Sequence, residues 1–555
     1  MINLSPLRVS NRFTLAALFA LAGSLPLFAA DSNRPNVLLI MCDDLNDYVE
    51  TFGGHPQVQT PNLNRLVKSG VSFRQAHTNI PICGSSRASL FTGIYPHNSG
   101  CYGFTKWDGY GVLKNSRTMM DHFRANGYRT LGTGKLMHHL VRDEWVEYGN
   151  AADYGPFPWD GTKQIAHPDV PAPFSEIGAV DGSFGPLINL DDKRSPEGKP
   201  LKWVTGPWGD RRDLRVDSPE DRDQTADEVN GDWAIENLRH MATTVKNGDP
   251  FFMGIGFMRP HTPLIVPQRF FDLFPLESIE LPVIRPGDID DTHARSVRTL
   301  LNGWEPNLNR SEDMGRRLFE NLGVSYDSDE EGLRRFIQAY LASVASVDEQ
   351  IGRILDELDR SGLAENTVVV FTSDHGWGMG EKDYLYKNSL WQESTRVPLI
   401  IRAPKVSAAG AVSERPVSLI DIYPTLVDLC SLLGDTKKND HGHALDGFSL
   451  KSLLADPAAD QWAGPDSALT ALYKWREHYV PERESYSLRA RDWRYTRYEN
   501  GKEELYDTVD DPHEWTNLAA DPIQADRLKS FQTELASRLP RAMPVPPQPK
   551  YSPAR

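Results

Sequence analysis

Residues 36 to 44 read Asn-Val-Leu-Leu-Ile-Met-Cys-Asp-Asp, an apolar run that ends without a spacer on two carboxylates. Such a run has the character of a strand buried on both faces, which belongs in a mostly parallel sheet covered by helices. The pattern recurs. Tyr128 to Gly132 precedes Lys135 and His138, Phe251 to Phe257 precedes Arg259 and His261, and Val368 to Thr372 precedes Asp374 and His375. In open α/β sheets ligands bind outside the carboxyl ends of the strands, so these polar residues are expected to meet in one crevice although they are far apart in the chain. The expected fold class is α/β, a large mostly parallel sheet flanked by helices.

Outward from the strands, residues 332–358 carry apolar side chains at helical spacing from Leu333 to Leu358, and Gly362 ends that unit. Asp421 to Leu433 reads as a second helix. Pro156 to Pro219 is rich in Pro, Gly, Trp and charge without periodicity and reads as long surface loops. Pro, Ala, Asp and Gly accumulate from Asp456 to Asp466, and Tyr486 to Tyr506 then alternates like antiparallel strands. This divides the chain into a catalytic domain, residues 31–460, and a smaller C-terminal subdomain, 461–555, which ends in an extended Pro-rich tail from Pro540. Arg8 and Arg12 ahead of the apolar stretch Phe13 to Ala30 read as an export signal with Asp31 beginning the mature protein, hence a periplasmic or secreted location. An uncleaved anchor fits less well, because Gly23 and Pro26 interrupt the stretch.

The 555 residues carry 60 Lys plus Arg against 76 Asp plus Glu, and the net charge of -16 argues against nucleic acid as a partner. Neither is a stable membrane association expected. Four cysteines, Cys42, Cys83, Cys101 and Cys430, are too few and scattered for a disulfide framework. Cys42 and Cys430 fall in apolar patterns and read as packing residues.

Two acidic pairs demand compensation. Asp43-Asp44 is by itself a common solvated turn, but together with Asp374-His375 after a second buried strand it suggests a divalent cation. Oxygen ligands favour calcium or magnesium, and the histidine leaves zinc or manganese open. Cys83-Gly84-Ser85-Ser86-Arg87 leads into a helix start, where free N–H groups and the Arg87 fork would suit a tetrahedral oxyanion.

Cys83 to Gly93 resembles the signature of the type I, formylglycine-dependent sulfatases, in which a Cys followed four positions later by Arg precedes Thr-Gly. Further ordered elements resemble the same family: Asn36 to Asp44, Gly134-Lys135-Leu136-Met137-His138, Phe257-Met258-Arg259-Pro260-His261, and Asp374-His375-Gly376-Trp377 through Glu381 to Lys387. The last has iduronate-2-sulfatase-like spacing. Leu488 to Leu518, with Asp492-Trp493-Arg494-Tyr495 and Glu504-Leu505-Tyr506-Asp507, resembles the family's C-terminal subdomain. The resemblance implies an alkaline-phosphatase-like sulfatase fold and a formylglycine made from Cys83 by a formylglycine-generating maturation enzyme. It also implies a calcium ion held by Asp43, Asp44, Asp374 and His375, with Arg87, Lys135 and Lys387 neutralising the sulfate. His261 would be the general acid and His138 the base for the remaining hydroxyl, roles that the sequence allows to be exchanged. The implied substrate is a sulfated carbohydrate, with a uronate 2-O-sulfate as the leading class.

One departure stands out. The family's preferred residue two positions after the Cys is Pro, here Ser85, which puts recognition by the oxygen-dependent maturase in question. A phosphomonoesterase or phosphodiesterase of the same superfamily, and a non-catalytic sulfated-glycan binder should Cys83 stay a thiol, are the alternatives. His55, His77, His97 and His139 flank the motifs. Trp107 with Asp108, and Trp377, are possible sugar platforms, and Arg211 and Arg212 possible contacts for a second anionic sugar.

Overall fold

Nine strands form the central sheet, and eight of them run in the order Ala411–Ser413, Val71–His77, Arg396–Arg402, Thr367–Ser373, Asn36–Cys42, Phe251–Gly256, Arg129–Gly134, Glu147–Tyr148, with Val417–Ser418 also pairing Val71–His77. Only Arg396–Arg402 is antiparallel to its neighbours; the other pairings are parallel. The computed structural model describes residues 34–104, 106–140, 142–244, 249–293, 310–459, 462–473 and 480–540, which fall in one compact unit. The expected export signal and residues 541–555 of the tail lie outside the described residues.

Alternation along the central strand explains the layering. Leu38, Ile40 and Cys42 join a core on one face, with Tyr340, Val344, Val347 and Ile351 of the helix Asp329–Arg360. Val37, Leu39 and Met41 join a core on the other, with Leu90 and Phe91 of the helix Cys83–Thr92 and Leu426 of the helix Ile422–Leu429. A strand covered on both faces needs an unbroken apolar run, which is what residues 36–42 supply. The helix Asp329–Arg360 has 32 residues, about 48 Å at 1.5 Å per residue, and Ser328 caps it by accepting from the Glu331 N–H.

The C-terminal sheet, Ser467–Ala471, Tyr486–Ala490, Trp493–Arg497 and Glu503–Asp507, is antiparallel throughout. The helix Ala525–Arg538 packs Leu528, Phe531 and Leu535 onto it. Its inner residues reach under the active-site loops: Arg494 Nη1 donates to the Leu390 carbonyl at 3.1 Å, and the Tyr473 carbonyl accepts from Asn388 Nδ2 at 3.1 Å.

Residues 156–219 are more ordered than the loops expected from sequence. Phe157–Trp159, Lys202–Thr205 and Arg212–Leu214 form a three-stranded sheet, Phe184–Leu187 pairs with Leu264–Pro267, and Leu187, Leu201, Trp203, Leu214 and Ile265 share a small core. Strands of three or four residues between Pro and Gly are too short to display a period of two.

Candidate active site

Register brings the polar residues together. Cys42 pairs with Ser373, Met41 with Gly256, and Gly134 with Gly256, so the strands end nearly level and Asp43, Lys135, Phe257 and Asp374 leave one edge. Gly256 is required there, because a Cβ would collide with the Lys135 carbonyl.

Three fully buried carboxylates face three buried cations at this edge. Arg87, carried inward on the Cys83–Thr92 helix, binds Asp374 Oδ2 through Nε at 2.8 Å and lies 3.2 Å from Asp43 Oδ1 through Nη2. Its Nη1 also donates to the Lys135 and Leu136 carbonyls. Lys135 pairs with Asp43 Oδ2. Lys387 Nζ donates to both oxygens of Asp44 at 3.0 Å. Asp44 itself has φ 65°, a left-handed conformation that Asp tolerates better than most residues. Its N–H donates to Asp374 Oδ1 at 3.2 Å, and its carbonyl accepts from Tyr340 of the long helix at 2.8 Å.

Cys83 sits at the first position of its helix, 2% exposed. Its Sγ lies 3.3 Å from Lys387 Nζ and 3.3 Å from His375 Nε2. His261 Nδ1 is hydrogen-bonded to the Thr262 carbonyl, which makes Nδ1 the protonated nitrogen and leaves Nε2 to accept from Lys387 Nζ at 3.0 Å. His138 differs. Its ring packs on Phe104 and His139, its Nδ1 has no hydrogen-bond partner, and no hydrogen bond joins it to Cys83. The structure thus gathers eight of the nine other expected site residues around Cys83, while His138 lies within the electrostatic reach of Lys135 and Asp43, and burial, then Lys135, lower its ring well below the ordinary value.

Electrostatics follows from burial set against these pairs. Burial opposes the Asp43 charge, but Lys135 and Arg87 outweigh it and hold the carboxyl well below its usual range. For Asp44 burial wins over Lys387 and raises the carboxyl well above its usual range. Burial also raises the Cys83 thiol, against the pull of Lys135 and Lys387, so the unmodified side chain is a neutral thiol. Burial, then the Lys387 ammonium, lower His261 well below its ordinary value.

The donor set fits a divalent cation. Atoms of Asp43, Cys83, Asp374 and His375 lie within 4.8 Å of one another, as do those of Asp44, Cys83 and His261, and the buried Asp43 Oδ1 accepts no hydrogen bond, with Arg87 Nη2 as its cationic neighbour at 3.2 Å. Both groups share Cys83, so they describe one centre among the described residues.

Several neighbours lie elsewhere. His55 bonds the Glu280 carbonyl at 3.0 Å, His77 is buried near Arg494 and Arg489, and His97 stacks on Tyr95 at 5.0 Å. Trp107 and Trp377 are 4% and 1% exposed and pack in cores, so neither presents a sugar platform; Trp377 walls Lys387, 5.5 Å from its Nζ. Three residues escaped the sequence. Asp227 accepts from the Met258 and Arg259 N–H groups at 2.8 and 2.9 Å and so fixes the His261 loop. Tyr154 lies under Lys135 at 4.8 Å, just ahead of the stretch without periodicity. Tyr340 is one apolar-face residue among many, and nothing in its spacing marks the hydroxyl. Tyr340→Phe is expected to leave the buried Asp44 carbonyl unsatisfied and cost about 1–3 kcal/mol in denaturant unfolding; unchanged stability and turnover would show that the Asp44 turn holds itself.

A family model described as Sulfatase matches residues 35–432, and one described as N-sulphoglucosamine sulphohydrolase, C-terminal, matches 380–541. The chain belongs to the sulfatase family. It is 31% identical over 500 residues to a sulfatase of Formosa agariphila, covering 88% of this chain and 83% of that one. It is 29% identical to the iduronate 2-sulfatase of Mus musculus, covering 72% of this chain and 69% of that one. A solved structure of a protein in complex with its substrate D-glucosamine-2-N,6-O-disulfate superposes with TM-score 0.61 and 20% identity, over 91% of this chain and 99% of the other. The sheet described above is thus the alkaline-phosphatase-like sulfatase fold, and the enzyme is a sulfuric ester hydrolase. Sulfatases of this family generally use a metal ion and a formylglycine, and the cluster of Asp43, Cys83, Asp374 and His375 is a possible metal site.

Proposed function

We propose that the enzyme is an exported sulfatase that removes sulfate from a sulfated carbohydrate, a uronate 2-O-sulfate of a glycosaminoglycan or algal polysaccharide being the substrate class. The carrying observation is the Cys83 side chain, buried at a helix start with Lys387 and His375 each 3.3 Å from its sulfur. The substrate class is supported by the likeness to iduronate 2-sulfatase and by the spacing from Asp374 to Lys387. Export to the periplasm or beyond is supported by Arg8, Arg12 and the apolar stretch to Ala30.

Cys83 Sγ stands where the mature side chain carries oxygen. Once a maturation enzyme has oxidised Cys83 to formylglycine, the hydrate of that aldehyde supplies a hydroxyl nucleophile for sulfur. A calcium ion held by Asp43, Asp44, Asp374 and His375 would supply charge stabilisation for sulfate oxygens. Lys135, Lys387 and Arg87 bring three positive charges against three carboxylates, so a divalent ion leaves the centre with a surplus of two. That surplus suits one sulfate ester anion plus one ionised hydroxyl. Among the described residues the centre does not offer the second, independent ligand set of a two-metal phosphatase. For His261 to act as general acid on the leaving sugar oxygen, Nε2 must first take a proton from the Lys387 ammonium that donates to it at 3.0 Å, and His138 would take the proton of the remaining hydroxyl.

The test is peptide mass spectrometry across Cys83 on protein from a maturing host, combined with sulfate release from sulfated oligosaccharides. Formylglycine and release are expected. An unmodified thiol in active protein would overturn the nucleophile, and a thiol in inactive protein would make Ser85 the first suspect. A chelator is expected to lower turnover by at least about tenfold, with calcium restoring it; full activity in the chelator would sink the metal assignment.

A further inference from the structure

Just ahead of the stretch read as loops in the sequence, a ring enters the centre. Tyr154 lies edge-on to His261, with centroids 5.1 Å apart at 79°, and its ring faces the Lys135 ammonium at 4.8 Å. Tyr154 also meets Trp208, centroids 6.0 Å apart, and Trp208 meets Phe157 at 6.0 Å. The stripe therefore runs from the catalytic histidine to the surface.

Its outer end is fixed and open. The Arg211 guanidinium lies 4.4 Å from the Trp208 ring centroid and 4.8 Å from that of Phe157. It is anchored by the Gly206 carbonyl and by Asp153 at 3.6 Å. Yet Trp208 remains 60% exposed, while the other described tryptophans are buried or half-buried. A tryptophan held against a cation, with surface left to water, is arranged for contact with something else.

The inner end is tied to the chemistry. Arg259, 4% exposed, donates through Nη2 to the Gly155 carbonyl at 2.8 Å and through Nη1 to the His261 carbonyl at 3.1 Å. One guanidinium thus fixes the Tyr154–Gly155 turn and the His261 loop relative to each other, so a ligand resting on Tyr154 is held in register with His261.

Building on the proposed carbohydrate sulfatase activity, we propose that Tyr154 and Trp208 form a two-step aromatic subsite for a sulfated oligosaccharide. Tyr154 packs against the sugar whose ester is cleaved and Trp208 against the adjoining sugar. Aromatic faces suit the C–H faces of pyranose rings, and the cations Lys135 and Arg211 beside them match the negative charge of the saccharide. Arg211 is a positioning residue for Trp208. The enzyme accordingly favours chains over single sugars.

The experiment compares mature wild type, Trp208→Ala and Trp208→Phe on 4-nitrophenyl sulfate and on a heparin tetrasaccharide ending in a 2-O-sulfated uronate. For Trp208→Ala the ratio of kcat/KM on the tetrasaccharide to that on the aryl sulfate is expected to fall by at least about tenfold, mostly through KM, and Trp208→Phe to regain most of it. An unchanged ratio, or equal losses on both substrates, would overturn the subsite. Wild type that cleaves the aryl sulfate but no sulfated saccharide would instead sink the carbohydrate assignment, and the subsite with it.

Discussion

Replacing Cys83 by alanine is expected to abolish sulfate-ester turnover, by at least roughly 10⁴-fold, because every proposed route to products passes through an oxygen borne on this side chain. The fold should survive. Cys83 contributes one buried sulfur to a polar centre, and its neighbours Lys387 and His375 keep their bonds to Asp44 and the Gly376 carbonyl without it. A cost of about 1 kcal/mol is the scale for removing so small a group, which in a protein of this size moves the melting temperature by about 2–4 °C or less. Sulfate release by the purified variant is measured beside its thermal melt. Near-wild-type release would show that the nucleophile lies elsewhere, whereas lost activity with a collapsed melt would show that Cys83 is structural. Loss of activity with the melt retained is the outcome that the geometry around Sγ predicts.

The centre was legible in the sequence because parallel strands write their ends plainly. Three of the four runs are essentially unbroken, only Tyr128 to Gly132 being interrupted by Arg129, and the polar residues that follow are forced to one edge by register, whatever their separation in the chain. Asp43, Lys135, His261 and Asp374 could be placed together for that reason alone. What the sequence did not reveal is held by single contacts between distant segments. The Tyr340 hydroxyl reaches the Asp44 carbonyl from a helix whose periodicity announces only its apolar face. Asp227 caps the His261 loop from a helix start that looks like any other acidic first turn. Tyr154 and Trp208 come from a region with strands three or four residues long, too short for any pattern to emerge. His138 shows the converse limit. Its spacing from Lys135 was clear, but the turn after Gly134 rotates its ring onto Phe104, and no spacing argument fixes a rotamer.

Arg87→Ala is expected to be the most damaging single change at the centre, losing both activity and about 3–5 kcal/mol of stability. Arg87 is fully buried, and its guanidinium faces Asp374 and Asp43 while donating to the main-chain carbonyls of Lys135 and Leu136. Removing it strips a cation from two buried carboxylates and leaves those carbonyls short of donors, which costs more than the pair itself was worth. Lysine cannot restore the arrangement. An ammonium is a point charge with three donors on one atom, and it cannot span Asp374 and the Lys135 carbonyl as a planar fork does. Arg87→Lys should therefore recover part of the stability, by keeping the charge, and little of the turnover. Denaturant unfolding separates the two effects, and added calcium sharpens the test, since a bound divalent cation would offset part of the missing charge and narrow the stability gap. An Arg87→Ala protein as stable and active as wild type would mean that Asp43 and Asp374 are compensated without it, and the charge balance argued for this centre would fall.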